Sequence, residues 1–252
     1  MNYKITILCL ALLGTSGYFL YDYVQEVGIP EGSANTPISY ILFDFDGTLI
    51  DAFDEAINVA NELANSYGFK KISPEEKESI RHLSMREIIF DHMKIPWYRL
   101  PFLVYRAKKL LAKKIDTMHP FDGIIPGIRQ LKQQGYRLAI ITTNTEETVS
   151  RFLKNNNLDV FDVIYGNASL FGKHKSINQF LSKFKIPRQA VVYVGDEVRD
   201  IEAAHTVGIK IIAVSWGFNS YEALMAHKPT ALIQQPSELI TAINQLPNAR
   251  PS

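Results

Sequence analysis

The chain contains almost no cysteine and no excess of charge of either sign. Its 252 residues include one cysteine, Cys9, which excludes an intrachain disulfide and a zinc site built from cysteines. Lysine and arginine number 27 and aspartate and glutamate 26, so the total charge gives no reason to expect a nucleic-acid partner. Glycine and proline are close to average usage, which excludes collagen-like and low-complexity chains. With 46% hydrophobic residues, the chain can bury the core of one large or two small globular domains.

The amino end departs from this average composition. Residues 5–21 carry no charge and are just long enough to span a bilayer core of roughly 30 Å. Three interpretations compete: a signal peptide, an uncleaved membrane anchor, and an ordinary segment of a cytoplasmic protein. In the third case the segment either packs on the domain as an apolar arm or results from a start site chosen too far upstream. We favour a membrane-anchored or exported protein over a cytoplasmic one. Residues 28–37 are rich in glycine, proline and small polar residues, so we expect a linker, with structure beginning near Ile38.

From Ile38 onward, strand-like and helix-like segments alternate. Continuous apolar runs are typical of parallel strands buried on both faces, and they occur at 39–44, 137–142, 191–194 and 210–215. Amphipathic stretches of helical length lie between or after them, for example at 146–155, 176–184 and 200–207. This order predicts an α/β fold with a Rossmann-like parallel sheet, whose ligands bind at the carboxyl ends of the strands.

One block interrupts the alternation. Residues 51–122 contain no convincing strand and predict about four helices, at 52–67, 74–82, 85–93 and 98–118. A helical insertion after the first strand is a candidate cap over a binding site. We therefore predict three parts: an amino-terminal segment and linker (1–37), a discontinuous α/β core (38–50 with 123–246) and a helical cap (51–122).

Two acids follow the first predicted strand. The alternation of side chains along a strand places Asp44 and Asp46 on the same side, at the edge where such a sheet binds its ligand. Two carboxylates this close repel each other, and Mg²⁺, which prefers oxygen ligands, would relieve that repulsion. Gly47 allows a sharp turn after them. A helix cap or a simple Asp-Gly turn explains the same residues without any chemistry.

Three further polar groups follow in a fixed order. Thr143 and Asn144 follow the second strand, Lys173 precedes a helix, and Asp196 and Asp200 follow a later strand. Each has an ordinary alternative: a helix cap, a surface lysine, and a capped helix start with a surface Asp–Arg pair. Independent caps have no reason to combine two acid pairs, a hydroxyl, an amide and a lysine at the ends of separate strands. Their joint occurrence therefore favours an active site.

Over residues 38–246 the chain resembles the haloacid dehalogenase superfamily of phosphohydrolases. The segment Asp44-Phe-Asp46-Gly-Thr48 and the spacing from Gly195-Asp196 to Asp200 carry the resemblance, with Thr143 and Lys173 at the hydroxyl and basic motifs. Lys175 fits the basic motif less well than Lys173. The helical insertion is similar to the C1 cap of that superfamily, and the region from Arg137 onward is similar to its phosphoglycolate-phosphatase-like branch.

The resemblance implies a role for each motif residue. Asp44 would attack phosphorus and form an aspartyl-phosphate, and Asp46 would protonate the leaving oxygen and then activate water. Thr143, Asn144 and Lys173 would bind the transferring phosphoryl group. The cofactor would be Mg²⁺, held by the Asp44 carboxylate, the Asp46 carbonyl, Asp196 and Asp200.

The expected function is hydrolysis of a small phosphorylated metabolite. The alternatives are a phosphomutase of the same fold and a catalytically weak, membrane-associated binding module. The last is suggested by residues 5–21 and by the stretch 94–114, which has seven basic residues and no acid. We favour the interpretation of this stretch as the polar face of a cap helix over contact with an anionic membrane or ligand.

Overall fold

The computed structural model describes residues 29–249. The apolar segment 5–21 lies outside the described residues. Within 29–249, no helix combines the length and the apolar character that crossing a bilayer requires. The structure begins earlier than the expected Ile38, because Ile29 is buried in the hydrophobic core and the backbone N–H of Ile38 donates to the carbonyl of Asn248 at 2.8 Å.

A parallel sheet of six strands forms the centre of the described chain, in the order β3-β2-β1-β4-β5-β6. This confirms the predicted α/β fold with a Rossmann-like sheet. The four predicted strands are present within a residue or two, and they occupy the inner positions of the sheet. The strands are β1 (Tyr40–Phe43), β2 (Arg137–Ile141), β3 (Val163–Tyr165), β4 (Val191–Gly195), β5 (Lys210–Val214) and β6 (Ala231–Ile233).

Nine α-helices are present in the described residues. Helix α1 and helix α3 are the long helices of the insertion, and α4 to α9 surround the sheet. The helices are α1 (Phe53–Tyr67), α2 (Lys77–Ile80), α3 (Leu100–Lys114), α4 (Ile124–Gln133), α5 (Glu146–Asn155), α6 (Lys173–Phe184), α7 (Val198–Val207), α8 (Tyr221–Ala226) and α9 (Leu239–Asn244).

Alternation along the strands divides the core into two hydrophobic clusters, one on each face of the sheet. In β1, for example, Phe43 packs in one cluster with residues of α4, α5 and α9, whereas Leu42 packs in the other with residues of α6 and α7. Because both faces are covered, the inner strands are apolar at almost every position. Burial on both faces explains why continuous apolar runs identified these strands in the sequence.

The helical block after β1 has a third hydrophobic cluster of its own. It is formed mainly by α1, α3 and the segments between them, with Ile57, Leu63, Ile80 and Leu103 among its buried members. The two long helices agree with the predicted positions. The second and third predicted helices are shorter than expected: a 3₁₀ turn leads into α2, and Glu87–His92 forms a short π-helix. The proposed boundaries of core and cap stay predictions.

Candidate active site

The predicted polar residues lie at the carboxyl edge of the sheet. Asp44 follows β1, Asn144 follows β2 and Asp196 follows β4, and these three strands are adjacent in the sheet. In a parallel sheet, the carboxyl ends of neighbouring strands meet along one edge, where a ligand can reach all of them. Strand order therefore brings together residues that are about 50 to 150 positions apart in the chain.

Three carboxylates form a buried cluster at this edge. Oxygen atoms of Asp44, Asp196 and Asp200 lie within 4.8 Å of one another, and all three side chains are almost fully buried. The carboxylate of Asp46 is not part of this cluster. The sequence grouped the acids as neighbouring pairs, whereas the structure gathers one acid of the first pair with both acids of the second.

Lys173 provides the positive charge beside this cluster. Its Nζ donates to Asp44 Oδ2 at 2.7 Å and also pairs with Asp200 Oδ1, and its side chain is only 2% exposed. Lys173 is the first residue of α6, three residues earlier than the expected helix start. Burial alone would lower the pKa of Lys173, but the carboxylates of Asp200 and Asp44 raise it well above its usual value, so the amine stays charged.

Asp196 is held from both sides by the loops that flank it. Its Oδ1 accepts from the Thr48 hydroxyl, and its Oδ2 accepts from the backbone N–H of Phe218, both at 2.7 Å. Gly47, which has a φ of +77°, and Gly217 both lie so close to this carboxylate that a Cβ at either position would collide with it. These glycines allow two loop backbones to pack directly against the acid.

Asp46 has a different partner. Its Oδ2 accepts from the Asn144 side-chain amide at 2.7 Å. Asn144 is available for this bond because Thr145, not Thr143 or Asn144, caps α5: the Thr145 hydroxyl accepts from the backbone N–H of Thr148. Thr143 lines the cavity that opens beside Asp46. The structure thus places Asn144 against Asp46, Thr143 in the lining of the same cavity as Asp46, and Lys173 against Asp44.

Burial raises the proton affinity of the acids. Burial raises the pKa of Asp44 to about 7, although Lys173 acts in the opposite direction. Burial also raises the pKa of Asp46, with the Asn144 bond partly offsetting the rise. The pKa of Asp196 lies well above its usual range, because burial adds to repulsion from Glu197, Asp44 and Asp200.

Two charged neighbours of the site were not identified from the sequence as site residues. Arg199 pairs with Glu197 and donates from Nη1 to the Leu170 carbonyl at 3.0 Å. Its pKa is raised above its usual value, because the attraction of Glu197, Asp200 and Asp44 outweighs burial. The sequence showed only an ordinary Asp–Arg surface pattern here. No local signal indicated that Arg199 is partly buried close to the acid cluster.

Asp200 combines a structural and a site role. Its Oδ2 accepts from the backbone N–H of Glu197 at 3.1 Å in a capping box at the start of α7, while its other oxygen pairs with Lys173. Asp200 therefore acts as a helix cap and as an acid of the site at once, so the two interpretations drawn from the sequence do not exclude each other. The cap fixes the carboxylate in the orientation that Lys173 requires.

The acid cluster fits a divalent cation. Asp44, Asp196 and Asp200 provide only oxygen donors, and a single lysine pairs with two of them. Burial is the main cause of the raised pKa of Asp44 and of Asp196, and repulsion from neighbouring carboxylates adds to it, so further positive charge would stabilise the ionised cluster. A hard divalent cation supplies that missing positive charge and prefers these ligands.

The helical insertion covers this edge of the sheet. Lys108 of α3 lines the same cavity as Asp46 and Thr143, and burial lowers the pKa of its amine while the charge of Asp46 opposes that change. On another side, the loop after β5 contacts the insertion: Asn219 Nδ2 donates to the carbonyls of Arg81 and Leu83 at 3.0 and 2.8 Å. The insertion and the core together enclose the site.

The sequence matches a known family over most of its length. The family model described as haloacid dehalogenase-like hydrolase matches residues 41–214. A phosphoglycolate phosphatase of Synechococcus elongatus is 32% identical over 82% of this chain and 97% of its own length. A pyrophosphatase of Bacillus mycoides is 25% identical over 83% of this chain and 98% of its own length.

Solved structures show the same fold. A predicted phosphatase from Clostridium acetobutylicum superposes with a TM-score of 0.72, at 22% identity, over 84% of this chain and all of the other. A haloacid dehalogenase-like hydrolase from Streptococcus pneumoniae superposes with a TM-score of 0.66 at 27% identity, over 81% of this chain and 98% of the other.

Proposed function

The chain belongs to the haloacid dehalogenase-like hydrolases and is a phosphatase, and on this basis we propose that it hydrolyses a small phosphomonoester, with Mg²⁺, through an aspartyl-phosphate intermediate. The observation that carries the proposal is the division of labour between two acids. Asp44 is held by Lys173 within the acid cluster, whereas Asp46 is held by Asn144 at the wall of the cavity. This difference in surroundings supports a role as nucleophile for Asp44 and as proton donor for Asp46.

In the first step, the Asp44 carboxylate forms a bond to phosphorus, and the bond between phosphorus and the ester oxygen breaks. Asp46, whose pKa is raised by burial, gives its proton to the departing alkoxide. Lys173, Thr143 and Asn144 stabilise the charge that spreads over the phosphoryl oxygens. The products of this step are the free alcohol and a phosphorylated Asp44.

In the second step, Asp46 is ionised and accepts a proton from water as the water attacks phosphorus. The bond between Asp44 and phosphorus breaks, and inorganic phosphate leaves. Asp44, Asp196 and Asp200, with the Asp46 carbonyl, would hold the Mg²⁺ ion, which would supply positive charge between the carboxylate and the phosphoryl group that must approach each other. Thr48 and the backbone N–H of Phe218 keep Asp196 oriented throughout.

The nucleophile is tested by Asp44→Asn. We expect the variant to lose at least about a thousandfold in kcat for phosphate esters, because an amide does not attack phosphorus. The control is Asp116→Asn, an exposed acid of the insertion, which should retain full activity. Unchanged hydrolysis by Asp44→Asn, with a normal circular dichroism spectrum, would contradict the proposed mechanism.

The same assay separates the alternatives. A phosphatase releases inorganic phosphate from a monophosphate without a bisphosphate activator. A phosphomutase would require the activator and return an isomeric monophosphate, and a binding module would release no phosphate. Since a phosphoglycolate phosphatase is 32% identical over most of this chain, we expect release without activator.

A further inference from the structure

A cavity of about 240 Å³ lies between the helical insertion and the carboxyl edge of the sheet. Six polar residues line it, and five of them come from the core side: Asp46, Thr143, Glu197, Arg199 and Asn219. From the insertion, one charged residue, Lys108, lines the cavity. Every other lining side chain in the described part of the chain is apolar.

The apolar wall comes from the two long helices and the segments between them. Phe53, Ala60 and Leu63 of α1 line the cavity, as do Leu103 and Ala107 of α3. These residues belong to, or pack against, the hydrophobic cluster of the insertion. The space next to the proton donor therefore continues into the apolar interior of the insertion.

This arrangement constrains the group that leaves the phosphorus. The phosphoryl group must contact Asp44, Thr143 and Lys173 on the core side, so the ester oxygen points toward Asp46 and the rest of the substrate extends from there. In the part of the cavity that the insertion lines, a charged leaving group would lose its hydration against apolar side chains, with Lys108 as the one charged residue there. An apolar group would gain free energy by the same transfer.

We propose that this phosphatase acts on phosphomonoesters whose alcohol is apolar, of about the size of a phenyl ring or a six-carbon chain. The proposal rests on the function proposed above and specifies its substrate class. The size follows from the volume, since an engineered apolar cavity of roughly 150 Å³ already admits benzene and this one measures about 240 Å³.

A second space is the alternative binding site for the leaving group. A wider groove runs along the other side of α3, lined by Tyr105, Lys109, Lys113 and Arg151, and it also reaches Asn144. Lys108 lies at the border of both spaces. An anionic leaving group, such as that of phosphoglycolate or pyrophosphate, would find Lys109, Lys113 and Arg151 in the groove in addition to Lys108, although Asp116 and Glu147 line the groove as well.

The substrate class is tested with unbranched alkyl phosphates from ethyl to octyl, compared with phosphoglycolate and pyrophosphate. The leaving alcohols differ little in acidity, so the trend reports on the cavity and not on intrinsic reactivity. We expect kcat/KM to rise about fourfold for each added methylene and to level off near six carbons. A flat series together with preferred turnover of phosphoglycolate or pyrophosphate would overturn the proposal.

A matched pair of substitutions on α3 locates the leaving group. Ala107 lines the apolar cavity and Ala112 lines the groove, and both are half-buried on the same helix. Ala107→Leu should lower kcat/KM for hexyl phosphate at least about tenfold and change that for ethyl phosphate about twofold at most. Ala112→Leu should leave both unchanged. The reverse pattern would place the leaving group in the groove and overturn the proposal.

Two further measurements test the proposal if Ala107→Leu folds poorly or if the protein hydrolyses no ester. Ala60→Leu fills the same cavity from α1, so it should reproduce the effect of Ala107→Leu if that variant folds poorly. If the protein hydrolyses no ester, the proposed function fails, and calorimetry with Mg²⁺ then tests the cavity alone. Tighter binding of hexylphosphonate than of methylphosphonate supports the apolar site, and equal binding rejects it.

Discussion

The two acids of the first motif have different surroundings, and the different functions that we propose for them rest on this difference. Asp44 and Asp46 are two residues apart, yet one pairs with a buried lysine and the other accepts from an amide. Burial raises the pKa of both acids; at Asp44 the main opposing partner is the charged Lys173, whereas at Asp46 it is the neutral amide of Asn144. Residue type alone does not separate these roles; the partners do.

The proton-donor role of Asp46 predicts a dependence on the leaving group. Asp46→Asn should lower kcat for an alkyl phosphate by about a hundredfold or more, because the alkoxide then leaves without a proton. For p-nitrophenyl phosphate the first step should slow much less, since nitrophenolate needs no proton. Stopped-flow detection of the nitrophenolate burst measures that step. Equal losses of the first step for both esters would contradict the assignment.

The raised pKa values of the acid cluster predict how Mg²⁺ stabilises the protein. A carboxyl whose pKa is higher in the folded than in the unfolded chain favours folding at low pH, and this contribution is lost as the pH rises through the folded value, about 7 for Asp44. Without the cation, stability from Asp44 should therefore fall between about pH 4 and pH 7. Mg²⁺ replaces the protons, so it should raise the Tm more at about pH 8 than at about pH 5.

Differential scanning fluorimetry at the two pH values, with and without Mg²⁺, measures this effect. Asp196→Asn should reduce the Mg²⁺-dependent rise in Tm, whereas Asp116→Asn on the surface of the insertion should not. An equal rise in Tm at both pH values would contradict the prediction.

At the scale of secondary-structure elements, the loop between β5 and α8 connects the acid cluster to the insertion. The backbone N–H groups of Phe218 and Asn219 donate to Asp196, while the Asn219 side chain donates to the carbonyls of Arg81 and Leu83 and accepts from the N–H of Val198. Ser220 adds a bond between its hydroxyl and the ring of His82 at 2.9 Å. One short loop thus fixes a cluster acid and the position of the insertion together.

Removing the Asn219 side chain should weaken this connection. Asn219→Ala leaves the buried N–H of Val198 without its acceptor and should lower the free energy of unfolding by about 2 kcal/mol. The KM for the ester should also rise, because the insertion is no longer fixed over the site. Urea unfolding and steady-state kinetics measure the two effects. The control, Asn155→Ala, removes an exposed bond to Asp116 and should change stability by less than about 0.5 kcal/mol.

At the scale of the whole molecule, the near-zero net charge conceals a separation of charge. Buried acids cluster at the edge of the sheet, whereas the basic residues of 94–114 lie on the insertion. Trp97, Tyr98, Phe102 and Tyr105 of the same stretch are at least half exposed. This surface and the apolar segment 5–21 are the features that a purely soluble role leaves unexplained.

We propose that residues 5–21 attach the protein to a membrane or direct its export. A reporter fused to residues 1–36 should appear in the membrane or extracytoplasmic fraction after cell fractionation. The same fusion with Leu10→Glu and Leu12→Glu should be cytosolic, since charge in the middle of the segment opposes insertion. A reporter that is wholly cytosolic without these substitutions would contradict the proposal.

The success of the sequence-based predictions depended on how local each signal is. Strands β1, β2, β4 and β5 are buried on both faces, so their runs of apolar residues identified them. Strands β3 and β6 are edge strands of three residues each, with partly exposed side chains, and no such run marks them. Helix α4 was also missed: its strongly amphipathic sequence, Ile124–Gln133, contains Pro126 and Gly127, which are typical helix breakers.

The sequence by itself determined the fold class and placed Asp44, Asp46, Thr143 and Asp196 just after strands, with Lys173 and Asp200 near the starts of helices. Strand pattern and motif spacing are local properties, so they can be recognised without coordinates. Only the tertiary structure decided which acids cluster, that Asn144 faces Asp46, that Asn219 fixes the insertion, and that the cavity beside the site is apolar. These depend on contacts between segments far apart in the chain, and burial created by such contacts is what sets both the pKa of each acid and the chemistry of the cavity.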